Sequence, residues 1–169
     1  MSPMRILVIS DTHGDLQALR MAFAAVQPDA VLHLGDCAGD LFYVIRDVLH
    51  NRPDFPFRAV CGNCDPPGAA PQELTVSLGG QTIFMLHGHT RGVKFTDAAM
   101  RAEAARQNAG IVLYGHTHVP RIESLDGRLI VNPGSAKRRL AADSRSATYA
   151  VLTLDASGAS AKLTALPPL

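Results

Sequence analysis

The chain has 169 residues, 47% hydrophobic and 18% charged, with a formal net charge of +1; that is enough for one full core and short for two. So even a charge balance excludes a whole-surface attraction to nucleic acid or to an anionic membrane, and any preference for anions has to be local. No apolar stretch reaches bilayer length and no signal-type segment precedes the first strand, so the expectation is a single domain, residues 1–169, in the cytoplasm and off the membrane.

In chain order, the first apolar run, residues 5–9, is rich in β-branched and large aliphatic side chains and reads as a buried strand. It empties into SDTHGD. Leu16, Leu19, Phe23 and Val26 then recur at helical spacing after Asp15, an acid suited to a cap or first turn. A second strand over 30–34 ends at Gly35, Asp36 and Cys37, and a second helical stripe, Leu41, Val44, Ile45, Val48 and Leu49, follows Asp40. A third strand over 57–60 runs into CGNCD and a loop dense in proline and glycine. Residues 74–78 and 81–85 flank Gly79 and Gly80 as a hairpin, and the apolar run 83–86 delivers His87.

An alanine-rich helix is expected from Thr96, as N-cap, to about Asn108, with Gly110 ending it before a strand over 111–114. GHTH follows that strand. The pattern then turns to hairpins, the first pairing 121–125 with 128–131 about Asp126 and Gly127, a strong two-residue turn signal. Counting outward from that turn sets Leu125 opposite Arg128, Ile122 opposite Val131 and, if the register persists, His118 opposite Ser135, which lays NPGS beside GHTH. A last hairpin, 148–154 with 163–166 around 155–158, is expected to close a second sheet.

Strands that alternate with helices lie mostly parallel, and their C-terminal ends share an edge where open α/β folds bind ligands. Seven residues able to hold metal follow five of these runs: Asp11, His13, Asp36, Asn63, His87, His116 and His118. A single Asp or His after a strand is ordinarily a cap or a surface group. The pairs Asp11/His13 and His116/His118 change that, because residues two apart in an extended turn project to one side and can grip one ion. Asp36 has two carboxylate oxygens, enough to bridge two ions. Asn63 is an uncommon neutral ligand that alone would pass for a turn residue.

Other polar residues read more plainly. His33 lies within a strand and suits a satisfied core position; His50 ends a helix, where its charge suits the macrodipole. His89, two residues past His87, fits a place facing the same site or a plain loop role. Cys37, Cys61 and Cys64 are too sparse for a disulfide framework, and Cys61-x-x-Cys64 leads into a loop rather than opening the helix that redox chemistry needs. The basic run 137–139 reads as solvated loop, with a secondary part in attracting substrate left open.

Taken in order, SDTHGD, LGDC, GNCD, LHGH, GHTH and NPGS resemble the calcineurin-like metallophosphoesterases, most nearly the compact prokaryotic YfcE-like phosphodiesterase family, over nearly the whole chain. The resemblance implies an α/β fold of two stacked mixed β-sheets flanked by helices, a four-layer α/β/β/α arrangement. It implies one ion on Asp11, His13, Asp36 and His118, a second on Asp36, Asn63, His87 and His116, and hydrolysis of phosphodiesters by a metal-bridging hydroxide. Manganese is the expected ion, with nickel, iron, cobalt and zinc as alternatives. Asn63, Cys64 and His89 are the further candidates for catalysis. Many relatives carry a leaving-group histidine where this chain has Cys64, a weak donor, so His89 competes for the role. The expected substrate is a small phosphodiester or phosphorylated metabolite; no aromatic platform with a basic stripe indicates specific nucleic acid, and a homo-oligomer is allowed. The competing reading is a catalytically weak metal-binding scaffold or regulatory protein resembling the retromer subunit of this fold.

Overall fold

The computed structural model describes residues 2–37, 46, 50, 52 and 54–169. The first sheet holds β1 (Met4–Ile9), β2 (Ala30–His33) and β3 (Phe57–Ala59), mutually parallel, with β9 (Thr148–Asp155) antiparallel to β1 on its other side and β10 (Gly158–Ala165) antiparallel to β9, in the order β10-β9-β1-β2-β3. The second sheet runs β4-β5-β6-β8-β7, where β5 (Gln81–Leu86), β6 (Ile111–Tyr114) and β8 (Arg128–Asn132) are parallel. Its antiparallel edges are β4 (Glu73–Leu78) and β7 (Arg121–Leu125).

Alternation along the strands builds the layers. On β1, Ile6 and Val8 meet Ile83, Met85, Ile111, Leu113 and Val131 between the sheets. Leu7 and Ile9 point the other way, onto Ala18, Leu19, Ala22 and Val26 of α1 (Leu16–Val26). Phe84, Leu86, Val112 and Tyr114 likewise turn from the inter-sheet core onto Met100 and Ala104 of α2 (Ala98–Arg106). The result is helix, sheet, sheet, helix. Strands buried on both faces read as unbroken apolar runs, which is why period-two alternation is faint in 5–9 and 111–114. Among the described residues no helix is long and apolar enough to cross a membrane.

The expected α1 is present, with the Asp15 side chain accepting from the Ala18 amide. Both hairpin registers hold, Leu78 opposite Gln81 and Leu125 opposite Arg128. The helix expected after Asp40 lies outside the described residues. Four expectations need correction. The C-terminal hairpin joins the first sheet, because β9 buries both faces, Ala150 and Leu152 between the sheets and Tyr149 against the α1 layer, and so needs a place beside β1 rather than at an edge. The parallel strands are split between two stacked sheets instead of sharing one edge. The β7–β8 ladder stops at Arg121 opposite Asn132, since Pro133 has no amide to donate and Gly134 turns the chain at φ 77, so His118 and Ser135 never pair. Finally, α2 is shorter than expected. Thr96 Oγ1 accepts from the Ala98 amide at 3.2 Å, the helix runs only to Arg106, and Asn108 closes the turn at φ 52.

Candidate metal centre

The seven singled-out residues sit in loops that leave β1, β2, β3, β5 and β6, and these loops meet at one rim of the sandwich. Among the described residues eight non-glycine positions have positive φ, and Asp11, His13, Asp36, His116 and His118 are five of them. Left-handed backbone at such residues costs energy and persists where surrounding structure demands it, so its concentration here marks the rim as the candidate functional site.

Each buried carboxylate has one oxygen tied down and one turned inward. Asp11 Oδ2 accepts from Ser10 Oγ at 2.5 Å and from the His116 amide at 3.1 Å. Its Oδ1 stands 3.0 Å from His118 Nε2, 3.7 Å from His13 Nε2 and 3.9 Å from His87 Nε2. Asp36 Oδ1 accepts from the Cys64 amide at 2.8 Å, while its Oδ2 lies 3.4 Å from His87 Nε2 and 3.8 Å from His13 Nε2. Two inward oxygens therefore share a cluster of imidazole nitrogens. Of the two Asp36 oxygens, one is occupied by the Cys64 amide and the other lies between His13 and His87.

The histidines present ring nitrogens to the cluster, as candidate ligands would. His87 Nδ1 is 2.7 Å from the Leu34 carbonyl, so that nitrogen carries the proton and Nε2 faces the cluster. Asn63 Oδ1 lies 3.1 Å from this Nε2. His13 and His118 face each other with Nε2 atoms 3.4 Å apart. Donors on a tetrahedral ion sit roughly 3.3–3.6 Å from one another, so this spacing fits a shared cation. His116 packs edge-on to His87, ring centroids 5.0 Å apart. Three compact donor groups result: Asp11, His13 and His118; Asp11, Asp36 and His87; and His13, Asp36 and Cys64, each with its atoms within 4.8 Å of one another.

Electrostatics agree with that geometry. Burial works to raise the Asp11 and Asp36 carboxyls, but hydrogen bonds and attraction from His118 and His87, with donors from Ser10 and the Cys64 amide, hold both below the ordinary range. For His87 burial opposes the charge, yet Asp36 and Asp11 push its pKa up. The cluster draws in positive charge, and a cation can take the place of that proton. His116 goes the other way, down to about 4, through burial and then the nearby His87. Burial and His87 also lower His89, whose ring lies 5.4 Å from His87 and whose Nδ1 is buried with no hydrogen-bond partner among the described residues.

Supporting contacts fasten the loops. His33 is fully buried; its Nδ1 accepts from the Gly35 amide, so its proton sits on Nε2, 3.3 Å from Thr12 Oγ1, and burial lowers its pKa to about 4. That matches the satisfied core role expected for it. Ser135 Oγ donates to the Asp11 carbonyl, and Asn132 Nδ2 donates to the Gly115 carbonyl and to Thr117 Oγ1. NPGS thus does brace GHTH, through the Asn132 side chain rather than a ladder. Glycine is required at 62 and 115: a Cβ at Gly62 would lie 2.1 Å from Asp36 Oδ1, and one at Gly115 would lie 2.1 Å from Ser10 Oγ.

Two residues matter more than their sequence setting suggested. Asp65 Oδ2 accepts from the Asp36 and Gly62 amides at 2.8 Å each, and its Oδ1 accepts from the Cys37 amide at 2.8 Å. It joins the loop after β2 to the loop after β3. Its only sequence signal was its place as the last residue of GNCD. Arg138, read as part of a solvated run, instead makes a two-pronged pair with Asp15, Nε to Oδ2 and Nη2 to Oδ1 at 2.9 Å each, and both side chains are largely buried. Among the described residues no disulfide joins the three cysteines; Cys61 is buried and Cys64 exposed.

Residues 4–157 match the family model of the calcineurin-like phosphoesterase superfamily domain. The chain is 34% identical over 155 residues to the probable metallophosphoesterase YsnB of Bacillus subtilis, covering 90% of this chain and 85% of that protein. It is 30% identical over 153 residues to the phosphodiesterase YfcE of Escherichia coli, covering 78% and 79%. Among solved structures, a predicted phosphoesterase from Streptococcus pneumoniae TIGR4 superposes with a TM-score of 0.77 at 30% identity, covering 98% of this chain and 91% of that one.

Proposed function

Because this chain belongs to the calcineurin-like phosphoesterase superfamily, a family of metal-dependent phosphoester hydrolases, we propose that it is a dinuclear metal-dependent phosphodiesterase working as one domain. The observation that carries this reading is the pair of inward carboxylate oxygens, Asp11 Oδ1 and Asp36 Oδ2, set among the Nε2 atoms of His13, His87 and His118. Asp11, His13 and His118, with Asp36, would hold one ion, and His87, Asn63 and His116, again with Asp36, would hold the other. Bound divalent ions supply an activated water and neutralise charge developing on the phosphoryl oxygens. Mixed nitrogen and oxygen donors suit manganese, with nickel, iron, cobalt and zinc as the other candidates.

The residues themselves define what binds. Two carboxylates return only two negative charges, and Asn63 and the imidazoles add none, so a loaded centre stays net positive and favours a phosphodiester monoanion. Asp65 and His33 hold the ligand loops in register so that the donors need no reorganisation as charge develops. For the leaving group, burial and then the Asp36 charge raise the Cys64 thiol, which leaves it protonated but a weak donor. His89, whose ring stands beside those of His87 and His116, competes with it for the departing oxygen, although burial and His87 lower its pKa and so disfavour the protonated ring. The substrate is a small phosphodiester or another phosphorylated metabolite, met in the cytoplasm.

A scaffold of the same fold has no need for a complete donor set, and here every ligand position carries a ligating residue. The deciding experiment is to strip the protein of metal, reload it with manganese and assay an aryl phosphodiester. Turnover that returns with the metal is expected. A reloaded protein that holds two ions yet never turns over such esters would favour the scaffold reading.

A further inference from the structure

Of the donor group formed by His13, Asp36 and Cys64, the ligand division above uses the first two and leaves Cys64 without a part. A ring nitrogen of His13, a carboxylate oxygen of Asp36 and the Cys64 sulfur all lie within 4.8 Å of one another. We propose, on the premise of the metal centre argued above, that Cys64 is a further, sulfur ligand on its His13 and Asp36 side, and that this sulfur moves the preference of that side from manganese, which nitrogen and oxygen donors alone would favour, toward zinc or cobalt.

The local structure points the sulfur there. The Cys64 amide donates to Asp36 Oδ1 at 2.8 Å, which fixes its backbone against the very carboxylate whose other oxygen faces the cluster. Asn63 Nδ2 donates to Cys64 Sγ at 3.4 Å while Asn63 Oδ1 faces His87 Nε2, so a single amide orients the sulfur and serves the neighbouring donors. Amide hydrogen bonds of this kind position a ligand and tune it. Metal–nitrogen bonds of about 2.0–2.1 Å and metal–sulfur bonds of about 2.3 Å put two donors of one ion at most about 4.4 Å apart, close to the 4.8 Å within which these three atoms lie, and Cys64 would join as a fifth donor, a number zinc accepts. On binding, the S–H bond breaks, a metal–sulfur bond forms and the proton goes to solvent, the usual course for a coordinating thiol. Soft sulfur beside imidazole and carboxylate selects for zinc or cobalt over manganese. Cys37 and Cys61 are not so placed: the Cys37 thiol donates to Asp65 Oδ1, and that of Cys61 to the Gly62 and Pro66 carbonyls.

The test uses the full chain, stripped of metal and titrated with cobalt(II). The loaded wild type should show a near-ultraviolet sulfur-to-cobalt charge-transfer absorption that is lost in Cys64→Ser and kept in Cys37→Ser. Chelator competition should show zinc affinity falling at least about tenfold in Cys64→Ser, since losing even a group that only supports a ligand costs that much. Manganese affinity should barely change. Independently of any variant, saturating zinc should protect Cys64 of the wild type from alkylation by iodoacetamide. Cobalt bound without the absorption, or Cys64 alkylated equally fast with and without zinc, overturns sulfur ligation while leaving the metal centre intact. A wild type that binds neither cobalt nor zinc overturns both.

Discussion

Asp65 makes no contact with substrate in the reading above, yet its removal should be among the most damaging single changes. Its carboxylate accepts from the amides of Gly62, Asp36 and Cys37, and it is nearly buried. Hydrogen bonds to a charged acceptor contribute about 1.5–3 kcal/mol each, and a buried donor left unpaired costs about 1–3 kcal/mol. Simple addition overstates the loss, because water and loop relaxation recover part of it. We expect Asp65→Ala to cost about 3–5 kcal/mol, a large share of the roughly 5–15 kcal/mol typical of a folded domain. In a chain of this size that lowers Tm by about 6–20 °C. Asp65→Asn keeps one oxygen for the Gly62 and Asp36 amides but sets its NH2 against the Cys37 amide, so about half the loss is expected. Urea denaturation of metal-free protein measures the effect without the ions. The pH dependence has a definite sign: amide donors hold the folded pKa of Asp65 below its ordinary value against the effect of burial, so its contribution is complete above the normal carboxylate range and fades as pH falls through the depressed value. Asp65→Ala within about 1 kcal/mol of wild type at neutral pH would refute its role as the fastener of the two loops.

Asp36→Asn should abolish turnover and loosen both ions, which metal analysis after dialysis reads directly; two ions retained with near wild-type activity would remove Asp36 from the shared position. His116→Ala and His118→Ala should each weaken a different ion in stepwise calorimetric titration, and loss of the same ion in both would show that the ligand division is wrong. Across a series of leaving groups, kcat/KM should fall as leaving-group pKa rises, with aryl esters ahead of alkyl esters. That slope should steepen in His89→Ala if His89 meets the departing oxygen, and an unchanged slope would take the role from it.

Much of this protein is written locally. The strands, α1 and both early hairpin registers follow from apolar runs, helical spacing and the Gly79-Gly80 and Asp126-Gly127 turns, all of which act over a few residues. The candidate ligand residues were legible for the same reason, since each follows a strand that can be read from its own composition. Tertiary structure decided everything that depends on distant partners. The β9–β10 pattern would suit either sheet, and only the burial of both faces of β9 beside β1 chose the first. Which oxygen of Asp11 faces the cluster is set by its neighbour Ser10 together with His116 and His118, over a hundred positions away in the chain. Arg138 reads as a surface charge until Asp15 meets it across the fold, and Asp65 as a loop acid until three amides converge on it. Periodicity and turn chemistry are short-range and leave their mark on neighbouring residues, whereas a carboxylate's partners are chosen by packing, which brings together groups whose spacing along the chain carries no signal.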